Sequence, residues 1–97
     1  MSDTKHILVV DDDLTLLEVM HARLTAAGYK VSKASDGKSA LKFLSKNSVD
    51  LLISDIKMPE MSGMELLDHV KADFPSLPII FLTAYGTISG AVDAVKA

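Results

Sequence analysis

Two short apolar runs that each end in carboxylates constrain this chain more than any other feature. Ile7-Leu8-Val9-Val10 leads into Asp11-Asp12-Asp13, and Leu51-Leu52-Ile53-Ser54 leads into Asp55. A short continuous apolar run bounded by polar residues is the pattern of a parallel strand buried on both faces. Parallel strands share a C-terminal edge, and open α/β sheets place their ligand sites just beyond it. If the two runs are neighbours, Asp11, Asp12 and Asp55 meet in one shallow pocket. Like charges a few Å apart repel by about 4 kcal/mol per pair at a surface-like effective dielectric. Such a cluster calls for a divalent cation or a proton.

The rest of the chain alternates strands with helices and contains no linker or low-complexity stretch. The first strand is His6 to Val10. A helix starts near Asp13, whose carboxylate can cap free N–H groups at the positive end of the helix dipole. Leu17, Met20, Leu24 and Ala27 recur at three- and four-residue steps and mark its apolar face. Gly28 ends the helix, since glycine best accepts the left-handed conformation. Tyr29 to Ala34 reads as an edge strand, with Val31 inward and Lys30 and Lys33 guarding the rim. Ser35-Asp36-Gly37 turns into a second helix with Ala40, Leu41 and Leu44 buried. A third strand runs from Asp50 to Ser54, followed by a loop from Ile56 to Ser62. Ser62 and Glu65 fit a capping box for a third helix, with Leu66, Leu67 and Val70 facing in. Pro75-Ser76-Leu77-Pro78 breaks that helix before a fourth strand, Ile79-Ile80-Phe81-Leu82. A last helix from about Thr87 carries Ile88, Ala91, Val92 and Val95 on one face.

Composition narrows the classes of function. The 97 residues make one domain with a single core. No apolar stretch is long enough to span a membrane. The polar start Met1-Ser2-Asp3-Thr4-Lys5-His6 is read as carrying no secretory signal. The absence of cysteine excludes disulfides and thiolate metal sites, and agrees with a cytoplasmic location. A net charge of −3, with Lys30, Lys33, Lys38, Lys42 and Lys46 spread out, argues against direct nucleic-acid binding by this segment.

Successive β-α units imply a parallel sheet with right-handed crossovers and helices on both faces. The pocket requires the first and third strands to be neighbours, which selects the flavodoxin-like over the Rossmann arrangement. No glycine-rich turn follows Val10, and three aspartates there would repel a dinucleotide phosphate.

The chain resembles the receiver domain of two-component response regulators over essentially all of its length. The resemblance rests on Val9-Val10-Asp11-Asp12, on Asp55-Ile56-Lys57-Met58-Pro59 with Gly63, and on Leu82-Thr83-Ala84, in that order at strand ends. It implies a flavodoxin-like, CheY-like doubly wound sheet of strand order 2-1-3-4, and one domain over residues 1–97. It also implies that Asp55 accepts a phosphoryl group from a sensor histidine kinase or a small donor such as acetyl phosphate. Asp12 and Asp55 would bind Mg²⁺ directly, Asp11 through a water, and the Lys57 backbone carbonyl would add an oxygen. Thr83 would hydrogen-bond the phosphoryl group, and small Ala84 would leave room for the donor. The partners implied are the kinase and an output domain or downstream effector, with no membrane. The stretch Thr83-Ala84-Tyr85-Gly86-Thr87-Ile88 with Ala91-Val92 and Ala94 is most similar to transcription-activating, NtrC-like receivers. Such receivers work with a downstream ATPase and DNA-binding domain. The chain is expected to be a phosphorylation switch and not a conventional enzyme.

Plainer roles remain open for several of these residues. An Asp run between strand and helix can be only a cap, and Asp13 is read as one. Asp55 or Thr83 alone could be solvated strand-end residues. Met58-Pro59 stiffens a loop in either reading, and Gly63 serves a turn or close packing. His6, His21 and His69 lack metal-ligand spacing and are assigned no chemistry. A full receiver continues into a fifth strand, ending in a lysine that contacts the phosphoryl group, and a fifth helix. This sequence ends at Val95-Lys96-Ala97, so the expectation is a domain incomplete at its C-terminus and impaired in transfer. The fourth strand would then be an exposed edge, and the expectation is that the segment either self-associates through it into homo-oligomers or is an excerpt of a longer protein. Two rival functions stand beside the switch: an interaction module that is never phosphorylated, and a Mg²⁺-dependent phosphohydrolase. The latter generally places a second Asp two residues after its nucleophile, where this chain has Lys57.

Overall fold

The computed structural model describes residues 4–82. Its elements run β1 (His6–Val10), α1 (Leu14–Ala26), β2 (Lys30–Ala34), α2 (Gly37–Lys46), β3 (Leu51–Asp55), α3 (Gly63–Asp73) and β4 (Ile79–Leu82). All strand pairs are parallel, in the order β2-β1-β3-β4. The expected flavodoxin-like arrangement is therefore present, with β1 and β3 as central neighbours. The last helix expected from Thr87 lies outside the described residues.

Continuous apolar strands work here because both faces of the sheet are covered. Leu8, Val10 and Leu52 point into a core closed by Ala40 and Leu44 of α2 and by Leu66 and Val70 of α3. Ile7, Val9 and Ile53 point the other way, against Leu17 of α1. All five residues of β1 are buried, which is why its sequence shows no alternation of polar and apolar positions.

Local signals bound the helices within a residue of where the sequence places them. The Asp13 carboxylate accepts hydrogen bonds from Thr15 N at 3.0 Å and Leu16 N at 3.1 Å, capping α1. Gly28 takes φ of 103° just after α1, a conformation that costs an L side chain energy. Asp36 accepts from Ser39 N at 2.7 Å and caps α2, which holds its carboxyl below the usual range. Ser62 and Glu65 form the expected reciprocal capping box on α3. On the rim, Lys33 pairs with Glu18 at 2.7 Å, and this ammonium keeps the Glu18 carboxyl lowered.

Three positions differ from the sequence expectation. Ala27 caps α1 and is exposed, because the helix ends one residue before it. Tyr29 stays outside β2 and is exposed, since the ladder with β1 begins at Lys30. β3 begins at Leu51 and extends to Asp55, one residue later at each end than expected. The shift leaves Asp50 free to turn its carboxylate onto His6 N, at 2.8 Å.

His6 has a structural part that its sequence neighbourhood does not announce. Its Nδ1 lies 2.8 Å from the Ser48 carbonyl, which can only accept, so that nitrogen carries the proton and donates. The Ser32 hydroxyl then donates to Nε2, also at 2.8 Å. The ring stands edge-on to Phe43 with centroids 5.6 Å apart. One buried imidazole thereby ties β1, β2 and the α2–β3 connection together at the N-terminal edge of the sheet. His6→Ala removes both ring hydrogen bonds and the ring contact, and is expected to destabilise the fold by about 2 kcal/mol. A urea melt followed by circular dichroism measures this.

Candidate functional site

Strand register creates the site. Val10 pairs with Ser54 across β1 and β3, so the residues that follow, Asp11 and Asp55, emerge side by side at the C-terminal edge. On the other flank Asp11 N donates to the Ala34 carbonyl of β2 at 3.1 Å, which fixes where β1 ends. Asp12 follows on the way to the α1 cap. One carboxylate oxygen from each of Asp11, Asp12 and Asp55 lies within 4.8 Å of the other two. The three candidates read from sequence are thus gathered into one group.

Their environments differ. Asp11 is buried, with 2% of its surface exposed, whereas Asp12 is exposed and Asp55 half-buried. Burial pushes the Asp11 carboxyl above its ordinary range; the Asp13 N–H opposes the shift, and the charges of Asp55, Asp12 and Asp13 add to it. That N–H donates to Asp11 Oδ1 at 2.8 Å, a side-chain turn of the Asx kind. Asp13 is therefore a cap, as expected, and also an orienter of Asp11. The Asp-x-Asp spacing carried that information, because an aspartate readily bonds the N–H two residues on. Asp55 Oδ1 accepts from Ile56 N at 2.8 Å, leaving Oδ2 without a protein hydrogen bond among those described.

The loop after β3 is built tightly. Gly63 N donates to the Ile56 carbonyl at 2.7 Å, which closes the loop into a ring. A Cβ on Gly63 would collide with the Asp55 carbonyl oxygen, and would sit 2.9 Å from Ile56 Cα and 3.0 Å from the Phe81 ring. Gly63 is thus a close-packing residue that lets α3 start directly on the peptide following Asp55. Met58 is buried in the core, while Lys57 and Pro59 are exposed. Met61 N bonds the Pro59 carbonyl at 2.7 Å across Glu60, whose φ is 68°. A γ-turn with positive φ at a side-chain-bearing residue is strained, by roughly 1–2 kcal/mol.

The donor set fits a small, hard cation. All three side chains offer oxygen, and no ion pair among the described residues involves them. Opposite ligands of octahedral Mg²⁺ stand about 4 Å apart, so a group of this size can surround one ion with waters completing the shell. Thr83, Ala84 and Lys96 lie outside the described residues. His21 is half-buried on α1 and His69 exposed on α3, both away from the acidic group in sequence and assigned no part in it.

The model of the response regulator receiver domain matches residues 7–97. The chain belongs to this family. The transcriptional regulatory protein GlrR of Escherichia coli (strain K12) is 45% identical over 91 residues, which is 94% of this chain and 20% of GlrR. ZraR of Klebsiella oxytoca is 41% identical over 90 residues, 93% of this chain and 20% of ZraR. The receiver thus spans about a fifth of the length of these relatives. Their kind bears out the NtrC-like subgroup read from the sequence. Among solved structures, the response regulator TrrA of Thermotoga maritima in complex with Mg²⁺-BeF has a TM-score of 0.81 and 39% identity, covering 84% of this chain and 71% of TrrA. TrrA in complex with the histidine kinase ThkA gives the same TM-score at 38% identity, covering 87% of this chain and 72% of TrrA. No helix among the described residues is long and apolar enough to cross a membrane.

The raised Asp11 pKa has a consequence for the metal-free protein. A raised folded-state value means that this group's stabilising contribution is complete below the ordinary carboxylate range. It is lost as pH rises through the raised value. Asp11→Asn keeps the acceptor for Asp13 N–H and never ionises. In chelator at neutral pH it is expected to melt several degrees above the wild type, with the gap closing in acid. Thermal melts across a pH series measure the difference.

Proposed function

We propose that this receiver is a phosphorylation-dependent signalling switch. In this reading Asp55 accepts a phosphoryl group from a sensor histidine kinase, with Mg²⁺ as cofactor, and the changed state is relayed to an output domain. The observation that carries it is the convergence of Asp11, Asp12 and half-buried Asp55 within 4.8 Å at one sheet edge. The complexes of TrrA with Mg²⁺-BeF and with ThkA support the same assignment by similarity.

Asp12 and Asp55 would hold the ion directly, Asp11 would act through a bound water, and the Lys57 carbonyl would complete the protein's share. When bound, Mg²⁺ supplies positive charge that offsets the carboxylates and the oxygens of the transferring group. An Asp55 carboxylate oxygen attacks phosphorus as the bond from phosphorus to the donor nitrogen, or to the acetate oxygen of acetyl phosphate, breaks. The electron pair of that bond leaves with the donor, and an acyl phosphate remains on Asp55. Asp55 Oδ1, held by the Ile56 N–H, keeps the carboxylate from rotating freely. The Thr83 hydroxyl would donate to a phosphoryl oxygen, and Ala84 beside it would leave the donor room.

The product carries roughly two negative charges where Asp55 carried one. Thr83 turning towards it would bias residues 85–87 and the stretch beyond. Swinging such an equilibrium fully takes on the order of 5.5 kcal/mol of differential stabilisation, so partial activation is expected. The chain is a phosphoacceptor and not a turnover enzyme in this reading. Its outputs would be those of a transcriptional regulator, an ATPase and a DNA-binding domain acting in the cytoplasm. Among the described residues β4 pairs only with β3, and pairing of two copies along that edge is part of the proposal; light scattering tests it.

Acetyl phosphate with Mg²⁺ is expected to add one phosphoryl group to the intact mass. The addition should vanish in Asp55→Ala and in chelator. A wild type that binds Mg²⁺ yet shows no added mass and no response to beryllofluoride is instead an unphosphorylated interaction module.

A further inference from the structure

The loop between β3 and α3 is held at more places than its ends. Ile56 packs against the core, Met58 is buried in it, and Gly63 N closes the ring on the Ile56 carbonyl. What remains is the strained turn at Glu60, and strain of this kind persists only where the surroundings over-determine it. The group that leaves this turn is Met61, which packs against the core. It also lies against the first residue of α2.

Gly37 is buried and opens α2, behind the Asp36 cap. A Cβ on Gly37 would stand 2.6 Å from Met61 Sδ and 3.1 Å from both Met61 Cβ and Cγ. The sulfur could swing aside, because a thioether stem is flexible. The Cγ can turn with it, but the Cβ is fixed to the loop backbone and can give only if that backbone shifts by a few tenths of an ångström. The bare Cα of Gly37 is therefore a seat into which Met61 fits, on a helix start stiffened by its own cap.

We propose that Gly37 and Met61 are positioning residues for the Mg²⁺ site: their contact holds the strained Pro59-Glu60-Met61 turn, and through it sets where the loop presents the Lys57 carbonyl. This rests on the Mg²⁺ reading above. It makes the start of α2, an element that contributes no ligand, part of what the metal site depends on. The traffic runs both ways, so Mg²⁺ binding is felt at Gly37 and Lys38.

Calorimetric Mg²⁺ titration of the whole chain tests the proposal, with amide spectra recorded alongside. Gly37→Ala is expected to raise the Mg²⁺ dissociation constant roughly tenfold, the low end of what losing an outer-shell support costs a metal site. Its metal-free melt should fall modestly, because the close approach to Met61 outweighs what alanine gains over glycine at a helix start. Met61→Ala is expected to weaken binding as well. The Gly37→Ala/Met61→Ala double variant should bind more tightly than the two losses added together, since the new methyl enters the space the shortened side chain vacates. In the wild type, Mg²⁺ should shift the Gly37 and Lys38 amide resonances, and in Met61→Ala it should not. Wild-type affinity in Gly37→Ala, or simple additivity in the double variant, overturns the proposal. Should Gly37→Ala not fold, wild-type affinity in Met61→Ala overturns it alone. A wild type that takes no Mg²⁺ brings down the metal reading itself, a result distinct from either.

Discussion

The parallel pairing of β1 with β3 is the constraint on which the rest depends. It sets Val10 beside Ser54, and one residue further it sets Asp11 beside Asp55. Each strand spends its apolar side chains on two faces of the sheet, so the pairing is driven by burial and opposed only at its end. There the fold brings carboxylates together against their mutual repulsion. Burial raises the Asp11 carboxyl above its ordinary range there, and the neighbouring carboxylates add to the shift. In the proposed reading a cation would offset these charges, while burial of the apolar strands holds the acids together.

The support around the acids comes in three layers. Backbone N–H groups of Asp13 and Ile56 orient Asp11 and Asp55. Gly63 allows α3 to start against the Asp55 peptide, so the strand end cannot drift. Beyond that, the loop carrying Lys57 is closed on itself and lies against α2 through Met61. Each layer is more distant from the chemistry and more dependent on shape than on charge. At the opposite edge His6 ties β1, β2 and the α2–β3 connection, keeping the register that the acidic edge uses.

Much of this was legible in the residues. The strand runs, the Asp13 cap, the glycine after α1 and the Ser62–Glu65 box are local patterns, and each acts within a few residues of where it is written. The convergence of Asp11, Asp12 and Asp55 followed from two such runs plus the rule that parallel strands share an edge. The starts of β2 and of β3 each fall one residue later than the sequence suggests. Both limits are set by contacts from elsewhere: the β1–β2 ladder begins at Lys30, and Asp50 is drawn to His6 N. The Asp13 N–H bond to Asp11 is written in their spacing, but the capping pattern at Asp13 accounts for the residue without it.

The sequence by itself determined the class of fold, the order of elements, the helix caps and the identity of the three acids. Those depend on periodicity and on side chains that bond their own neighbours. Only the tertiary structure decided which aspartate is buried, that His6 is a buried tie, and that Gly37 seats Met61. These contacts join residues 24 to 44 positions apart. No local pattern encodes them, because a lone histidine or glycine reads the same in sequence whether it faces water or a neighbour that the fold brings to it.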